Sequence, residues 1–181
     1  MIYYRIVWDT DKNIGAAYNR EMEMLPFDDD FCCFIDGDVL LGLNPFFGKQ
    51  LERIVEAYPE CGVFTCTTNR VNCKWQIGEG GWMSNDIAYH KLISERAVKR
   101  HYLEVEDKSV VPRGQVMSGV LMLVRRDAWR KVGGFKDGML GVDNDFHWRV
   151  MDNKEKLYLM LGVYIFHWYR GGDYSNKEHL K

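Results

Sequence analysis

Two short acidic segments contain the side chains whose types and spacing suggest chemistry. In Asp36-Gly37-Asp38, one residue separates the two carboxylates, and an extended backbone places such a pair on the same face. Two carboxylates on one face can share a divalent cation, and hard oxygen ligands suit Mg²⁺ or Mn²⁺. The same tripeptide is also common in solvated turns, so the spacing alone leaves both interpretations open.

The second acidic segment, Asp143-Asn144-Asp145, precedes a predicted helix that ends near Met151. Asp143 has two interpretations from its chemistry alone. Its carboxylate can serve as a general base, or it can cap the N-terminus of that helix. Asp145 is expected to orient the site or to cap the same helix.

Apolar runs and helical patterns alternate along the chain, and they must position these acidic residues. This alternation predicts an α/β fold whose mixed, mostly parallel sheet is flanked by helices. Ligands of such sheets bind outside the carboxyl ends of the strands, which is where Asp36 and Asp38 fall. We predict strands at 2–7, 31–35, 62–67, 119–124 and 158–166. Helices are predicted at 16–23, at 45–58 with Asn44 as its N-cap, at 86–100, at 127–132, and from the end of the second acidic segment to 151.

The composition is that of an ordinary folded protein, and it excludes several classes. The 181 residues are 46% hydrophobic and 28% charged, which predicts a single domain over 1–181, with 171–181 as a mobile tail. The net charge of -2 argues against a nucleic-acid-binding protein. The sequence shows neither a transmembrane stretch nor a signal-peptide pattern, which predicts a cytoplasmic protein. The sequence does not decide between a monomer and a homo-oligomer.

Five motifs follow one another from about Val7 to Arg149. They are N-I-G-A-A-Y-N at 13–19, F-I-D-G-D-V at 34–39, M-S-G at 117–119, V-G-G-F at 132–135 and V-D-N-D-F-H-W-R at 142–149. This order of motifs resembles glycosyltransferase family 2, whose members have the Rossmann-like GT-A fold. Two features depart from the family pattern. Val142 stands where the family has Glu, and the opening strand and D-x-S-x-D segment that help hold the nucleobase have no counterpart.

This resemblance implies a single-domain, inverting glycosyltransferase that uses Mn²⁺ or Mg²⁺. Its donor would be a nucleotide-diphosphate sugar, with a UDP-sugar as the first choice, and its acceptor a carbohydrate or another hydroxyl compound. The resemblance further implies that Asp38 contacts the metal directly and that Asp36 contacts the metal or the ribose. Asp143 would be the base that activates the acceptor hydroxyl.

The other candidate residues each have a structural alternative. His167 would complete the metal shell, although a histidine beside Trp168 is also a common packing residue. Asp9, Thr10 and Asn13 are expected on the donor nucleotide. Arg170 can contact the diphosphate or simply lie at the surface. Trp75 and Trp82 can each stack on a sugar ring or fill the core.

Two other classes compete with a glycosyltransferase. A catalytically silent nucleotide-sugar or carbohydrate-binding module would fit the N-terminal departure and Val142, but the presence of both Asp38 and Asp143 favours an enzyme. A metal-dependent nucleotidyltransferase or phosphohydrolase also uses paired carboxylates. We expect such an enzyme to have a glycine-rich phosphate loop with Lys or Arg near its start, and Asn13-Ile14-Gly15 is not one.

Overall fold

The computed structural model describes residues 1–79, 84–112 and 114–168. Arg170, Trp82 and the predicted tail at 171–181 lie outside the described residues. The strands are β1 (Ile2–Arg5), β2 (Phe31–Ile35), β3 (Val39–Leu40), β4 (Val63–Thr68), β5 (Val105–Asp107), β6 (Leu121–Arg125) and β7 (Leu157–His167). The helices are α1 (Ile14–Glu23), α2 (Phe47–Ala57), α3 (Ile87–His101), α4 (Arg126–Val132) and α5 (Val142–Asp152), and Lys74–Gln76 forms a 3₁₀ turn.

The strands form one mixed sheet in the spatial order β1-β2-β6-β4-β7-β3, with β5 also paired to β7. Strands β1, β2, β4 and β7 run in one direction, whereas β6 lies antiparallel between β2 and β4. The predicted α/β class, with a mixed sheet flanked by helices, is confirmed and is compatible with a Rossmann-like fold. Because β6 is reversed, it begins at the edge where β2, β4 and β7 end.

Helices cover both faces of this sheet, and β2 shows how the sequence achieves this. All five of its residues are buried, with Cys32 and Phe34 in one core and Phe31, Cys33 and Ile35 in the other. The first core is completed by α1, α4 and α5, and the second by α2. A strand buried on both faces explains why its apolar residues run continuously instead of alternating.

Helix α3 packs on the second half of β7, in a smaller core that contains Ile93, Tyr164 and Phe166. Its N-cap is Asp86, whose carboxylate accepts the N–H groups of Ala88 and Tyr89, so the predicted start of this helix is confirmed. Among the described residues, no helix has both the length and the apolar character needed to cross a bilayer.

The predicted start of α2 differs from the structure. The sequence predicts Asn44 as the N-cap, but the helix begins at Phe47, with Phe46 in the cap position. Residue 44 instead closes a preceding turn, in which its carbonyl accepts the N–H of Phe47 and its side-chain oxygen accepts that of Phe46. An Asn side chain can stabilise a turn as readily as a helix end, which explains the difference.

Candidate metal centre and cleft

Pairing between β3 and β7 brings Asp38 and His167 together. Val39 lies opposite His167 in this antiparallel ladder, and the N–H of Trp168 donates to the carbonyl of Asp38 at 2.9 Å. His167 Nε2 consequently lies 3.3 Å from Asp38 Oδ1. Asp36 follows the end of β2, where its N–H donates to the carbonyl of Val120 at 3.1 Å. The backbone at Asp36-Gly37-Asp38 is a turn, in which the N–H of Val39 donates to the carbonyl of Asp36 at 3.2 Å, and not the extended segment that the same-face argument assumed.

Asp36, Asp38 and His167 have the geometry of a metal-binding group. Each offers one ligand atom, and the three atoms lie within 4.8 Å of one another. Two ligand atoms of one Mg²⁺ lie at most about 4.2 Å apart, because each binds at about 2.0–2.1 Å, so these three atoms are close to the separations that a shared ion requires. By ligand type, the two carboxylates suit Mn²⁺ or Mg²⁺. The described residues contain no second group of this kind.

The electrostatics of this group favour a bound cation. Burial raises the pKa of Asp36 to about 7, and the negative charges of Asp38 and Asp143 act in the same direction, while His167 opposes them. Burial lowers the pKa of His167, but its hydrogen bond to Asp38 and the negative charge of that residue outweigh this effect, so the net pKa is raised. The negative charge of Asp38 contributes to both shifts, and a divalent cation bound to these side chains would offset it.

His167 is held in a defined orientation by Asn69 and Arg70, which sequence analysis did not identify. Its backbone N–H donates to Asn69 Oδ1 at 2.7 Å, and its Nδ1 lies 2.6 Å from the carbonyl oxygen of Arg70. A carbonyl oxygen can only accept, so Nδ1 carries a proton. In the neutral ring, the lone pair is therefore on Nε2, the atom that faces Asp38.

Asp143 lies in the first turn of α5, beside the start of β6. Its Oδ2 accepts the N–H of Gly119 at 2.6 Å, and its Oδ1 accepts that of Asn144 at 2.9 Å. Gly141 takes the N-cap position, so Asp143 satisfies one donor of the helix without being the cap. Burial raises the pKa of Asp143, although both hydrogen bonds and the positive charge of Lys136 act in the opposite direction.

One cleft of about 800 Å³ is lined by the side chains of Asp36, Asp38, Asp143 and His167. The cleft opens at the sheet edge where β2, β4 and β7 end and β6 begins. The structure therefore brings together the residues that the sequence predicted as metal ligands and the residue that it predicted as the base.

The cleft also has apolar residues in its lining. Met139 and Leu140 line it, and both are exposed. Asp145 is not among the lining residues and pairs with Arg149 at 2.7 Å.

The residues nominated for the donor near the N-terminus do not line this cleft. Asp9 forms an ion pair with Arg20 at 2.8 Å and accepts the N–H groups of Asp11 and Asn13. Asn13 is the N-cap of α1, and Thr10 is exposed. Their contacts among the described residues therefore stabilise the turn before α1.

The N-I-G segment also ties α1 to the loop that precedes Asp143. Asn13 Oδ1 accepts the N–H of Gly138 at 2.9 Å, and the N–H of Gly15 donates to the carbonyl of Gly138 at 3.1 Å. Further along the helix, the side-chain amide of Asn19 donates to the carbonyl of Phe135 and accepts the N–H of the same residue. The motifs at 13–19 and 132–135 therefore fix the position of the loop beside the cleft.

We expect Gly15→Ala to lower the free energy of unfolding by about 2 kcal/mol. An added Cβ would lie 1.8 Å from the carbonyl oxygen of Lys136, a backbone atom that cannot move cheaply. Overpacking of this kind costs up to about 3 kcal/mol, whereas Ala in a helix gains about 1 kcal/mol over Gly. Urea denaturation measures the difference, with Gly42→Ala as the matched control, because a Cβ there meets nothing within 4 Å. Equal stability of the two variants would contradict the close contact.

Trp75 occupies a structural position. Its indole N–H donates to the carbonyl of Gln115 at 2.6 Å, and its ring packs edge-on against His147. It lines a second, smaller cavity of about 220 Å³, outside the cleft that contains the acidic residues. The core interpretation of Trp75 is therefore the one that its contacts favour.

Comparison with known proteins leaves the chain without a family assignment. No protein-family model matches it, and a search of the curated proteins gives no match either. The functional interpretation therefore depends on the motifs and on the geometry of the cleft.

Proposed function

We propose that the protein is a metal-dependent, inverting glycosyltransferase of the GT-A type. It transfers a sugar from a nucleotide-diphosphate donor, with a UDP-sugar as the first choice, to a hydroxyl group of a carbohydrate or other acceptor. The observation that carries this proposal is that a single cleft contains both the Asp36, Asp38 and His167 group and the carboxylate of Asp143.

The metal-binding group accounts for the donor half of the reaction. Asp36, Asp38 and His167 would hold Mn²⁺ or Mg²⁺, which would stabilise the negative charge that develops on the departing diphosphate. Asp36 directly follows β2, Asp38 lies in the turn directly before β3, and His167 ends β7. Ligands anchored beside three strands would hold the donor diphosphate at a fixed place in the cleft.

Asp143 accounts for the acceptor half. A general base works best when its pKa lies near the working pH, and burial raises the pKa of this carboxyl from its ordinary acidic range. The N–H groups of Gly119 and Asn144 hold the carboxylate in one orientation. Asp143 would remove the proton from the acceptor hydroxyl while the hydroxyl oxygen attacks the anomeric carbon and the nucleotide diphosphate leaves. Inversion at the anomeric carbon follows from this single displacement.

The alternative is a catalytically silent module that binds a nucleotide sugar or a carbohydrate. Such a module would use the same metal-binding group but would need no base. The position of Asp143 inside the cleft, and the influence of its charge on Asp36, favour the enzyme. A module that binds a nucleotide sugar gains nothing from a third carboxylate beside its anionic ligand.

The direct test is release of free nucleotide from a panel of UDP- and GDP-sugars with Mn²⁺, with and without a panel of acceptor sugars. We expect release that depends on the acceptor and stops in excess EDTA. Release without an acceptor would indicate a hydrolase, and binding without any turnover would indicate the silent module. Full turnover in EDTA would rule out the metal centre.

A further inference from the structure

Asn69 and Arg70 directly follow β4, and nothing in the proposed reaction uses them as ligands. Both are polar and buried, with exposed fractions of 0% and 3%. Burying such groups is costly unless they are hydrogen-bonded, so their contacts identify what they do. Both of them contact His167, as described above.

The side chain of Arg70 extends away from His167 to another part of the chain. Its guanidinium donates to the carbonyl of Ser84 at 3.0 Å, to the side-chain oxygen of Asn85, and to the carbonyl of Trp168 at 3.3 Å. The planar group also lies 5.9 Å from the ring centre of Phe166. Arg70 thus connects both chain neighbours of His167, Phe166 and Trp168, with the segment that precedes α3.

We propose that Asn69 and Arg70 are the positioning residues of the metal centre and that Arg70 couples metal binding to the start of α3. Arg70 fixes its own carbonyl, which holds the Nδ1 proton of His167 and keeps Nε2 directed at the ligand group. Asn69 fixes the backbone of His167 by accepting its N–H. This inference rests on the proposed function, because it requires that Asp36, Asp38 and His167 bind a cation.

The coupling has a direct physical cause. A cation on Nε2 restrains the imidazole, and the restraint passes through the Arg70 carbonyl to the guanidinium and its acceptors at 84–85. Partners that orient a metal-bound histidine affect metal affinity by about 10- to 100-fold. Metal binding should therefore also slow local opening at the start of α3.

The test uses the full chain and Mn²⁺ alone. Mn²⁺ affinity is measured by calorimetry, and amide hydrogen exchange at 84–89 is measured with and without Mn²⁺. We expect Arg70→Met to weaken Mn²⁺ binding by about 10- to 100-fold and to abolish the metal-dependent protection. Arg70→Lys, which keeps a charged donor, should restore part of both.

Arg125→Met is the matched control. Like Arg70, Arg125 bonds backbone carbonyls, those of Pro59 and Cys61, but it is only partly buried and lies at the end of the β2–β6 ladder away from the cleft. The Arg125→Met variant should therefore have wild-type Mn²⁺ affinity and wild-type metal-dependent protection at 84–89. If Arg70→Met does not fold, Asn85→Ala removes one distal partner of the guanidinium at an exposed position and should still reduce the protection.

The outcomes separate this inference from the proposed function. Failure of the wild-type protein to bind Mn²⁺ would overturn the metal centre and the coupling together. Wild-type binding with unchanged affinity and protection in folded Arg70→Met would overturn the coupling alone. Where only Asn85→Ala can be measured, unchanged protection at 84–89 would overturn it.

Discussion

Asp143→Asn is expected to lower sugar transfer by about 10²- to 10⁴-fold, the usual contribution of a positioned general base. The amide has nearly the shape of the carboxylate, and its oxygen can still accept one of the two N–H groups that Asp143 bonds, those of Gly119 and Asn144. It cannot accept a proton at neutral pH. A base acts on the acceptor in the transition state, so donor affinity should be preserved.

The measurement is kcat for transfer, together with Mn²⁺-dependent donor binding by calorimetry and thermal unfolding. Asp145→Asn is the matched control, because it makes the same change two residues along α5, outside the cleft lining. Transfer near the wild-type rate in Asp143→Asn would show that the base lies elsewhere. Loss of folding would show that Asp143 chiefly holds α5 against Gly119.

Asp38→Ala is expected to weaken Mn²⁺ binding by at least about 100-fold, since loss of even an outer partner of a metal ligand costs about 10- to 100-fold. The variant removes one of the three ligand groups, the carboxylate whose Oδ1 lies 3.3 Å from His167 Nε2. Donor binding should fall with metal binding if the diphosphate binds through the ion.

Calorimetry of Mn²⁺, and of the donor in the presence of Mn²⁺, measures both effects. Asp29→Ala is the control, because it removes an exposed aspartate outside the cleft lining. We expect wild-type affinities for this control. Undiminished Mn²⁺ affinity in Asp38→Ala would mean that the turn at Asp36-Gly37-Asp38 is solvated and binds no metal, which is the alternative that the spacing leaves open.

The sequence predicted the position of the acidic residues better than it predicted their partners. The apolar run that forms β2 fixed where Asp36 falls, because a continuous buried strand has an unambiguous end. The pairing of Asp38 with His167 depends on β3, a strand of only two residues, which is too short to show a period. The reversed direction of β6 was likewise not predictable, since alternation of side chains does not report strand direction.

Asn69 and Arg70 were missed even though a signal was present. They are polar residues at the carboxyl end of a buried strand, the same feature that identified Asp36 and Asp38. The motif at 13–19 has a structural role that sequence analysis did not predict. The donor role of Asn13 stays a prediction, while its described contacts cap α1 and bind the loop at Gly138. A motif that looks like a ligand-binding segment can therefore also serve to cap a helix and to hold a neighbouring loop in place.

The separation of the metal ligands along the chain has a consequence for stability. Residues 36 and 38 come early and residue 167 comes late, so the centre exists only after β7 has joined both β4 and β3. An ion that binds only this assembled state stabilises it by mass action, by about 2.7 kcal/mol at a concentration 100 times its Kd. The melting temperature should therefore rise with the supply of Mn²⁺, which makes metal availability a determinant of how much folded protein a cell retains.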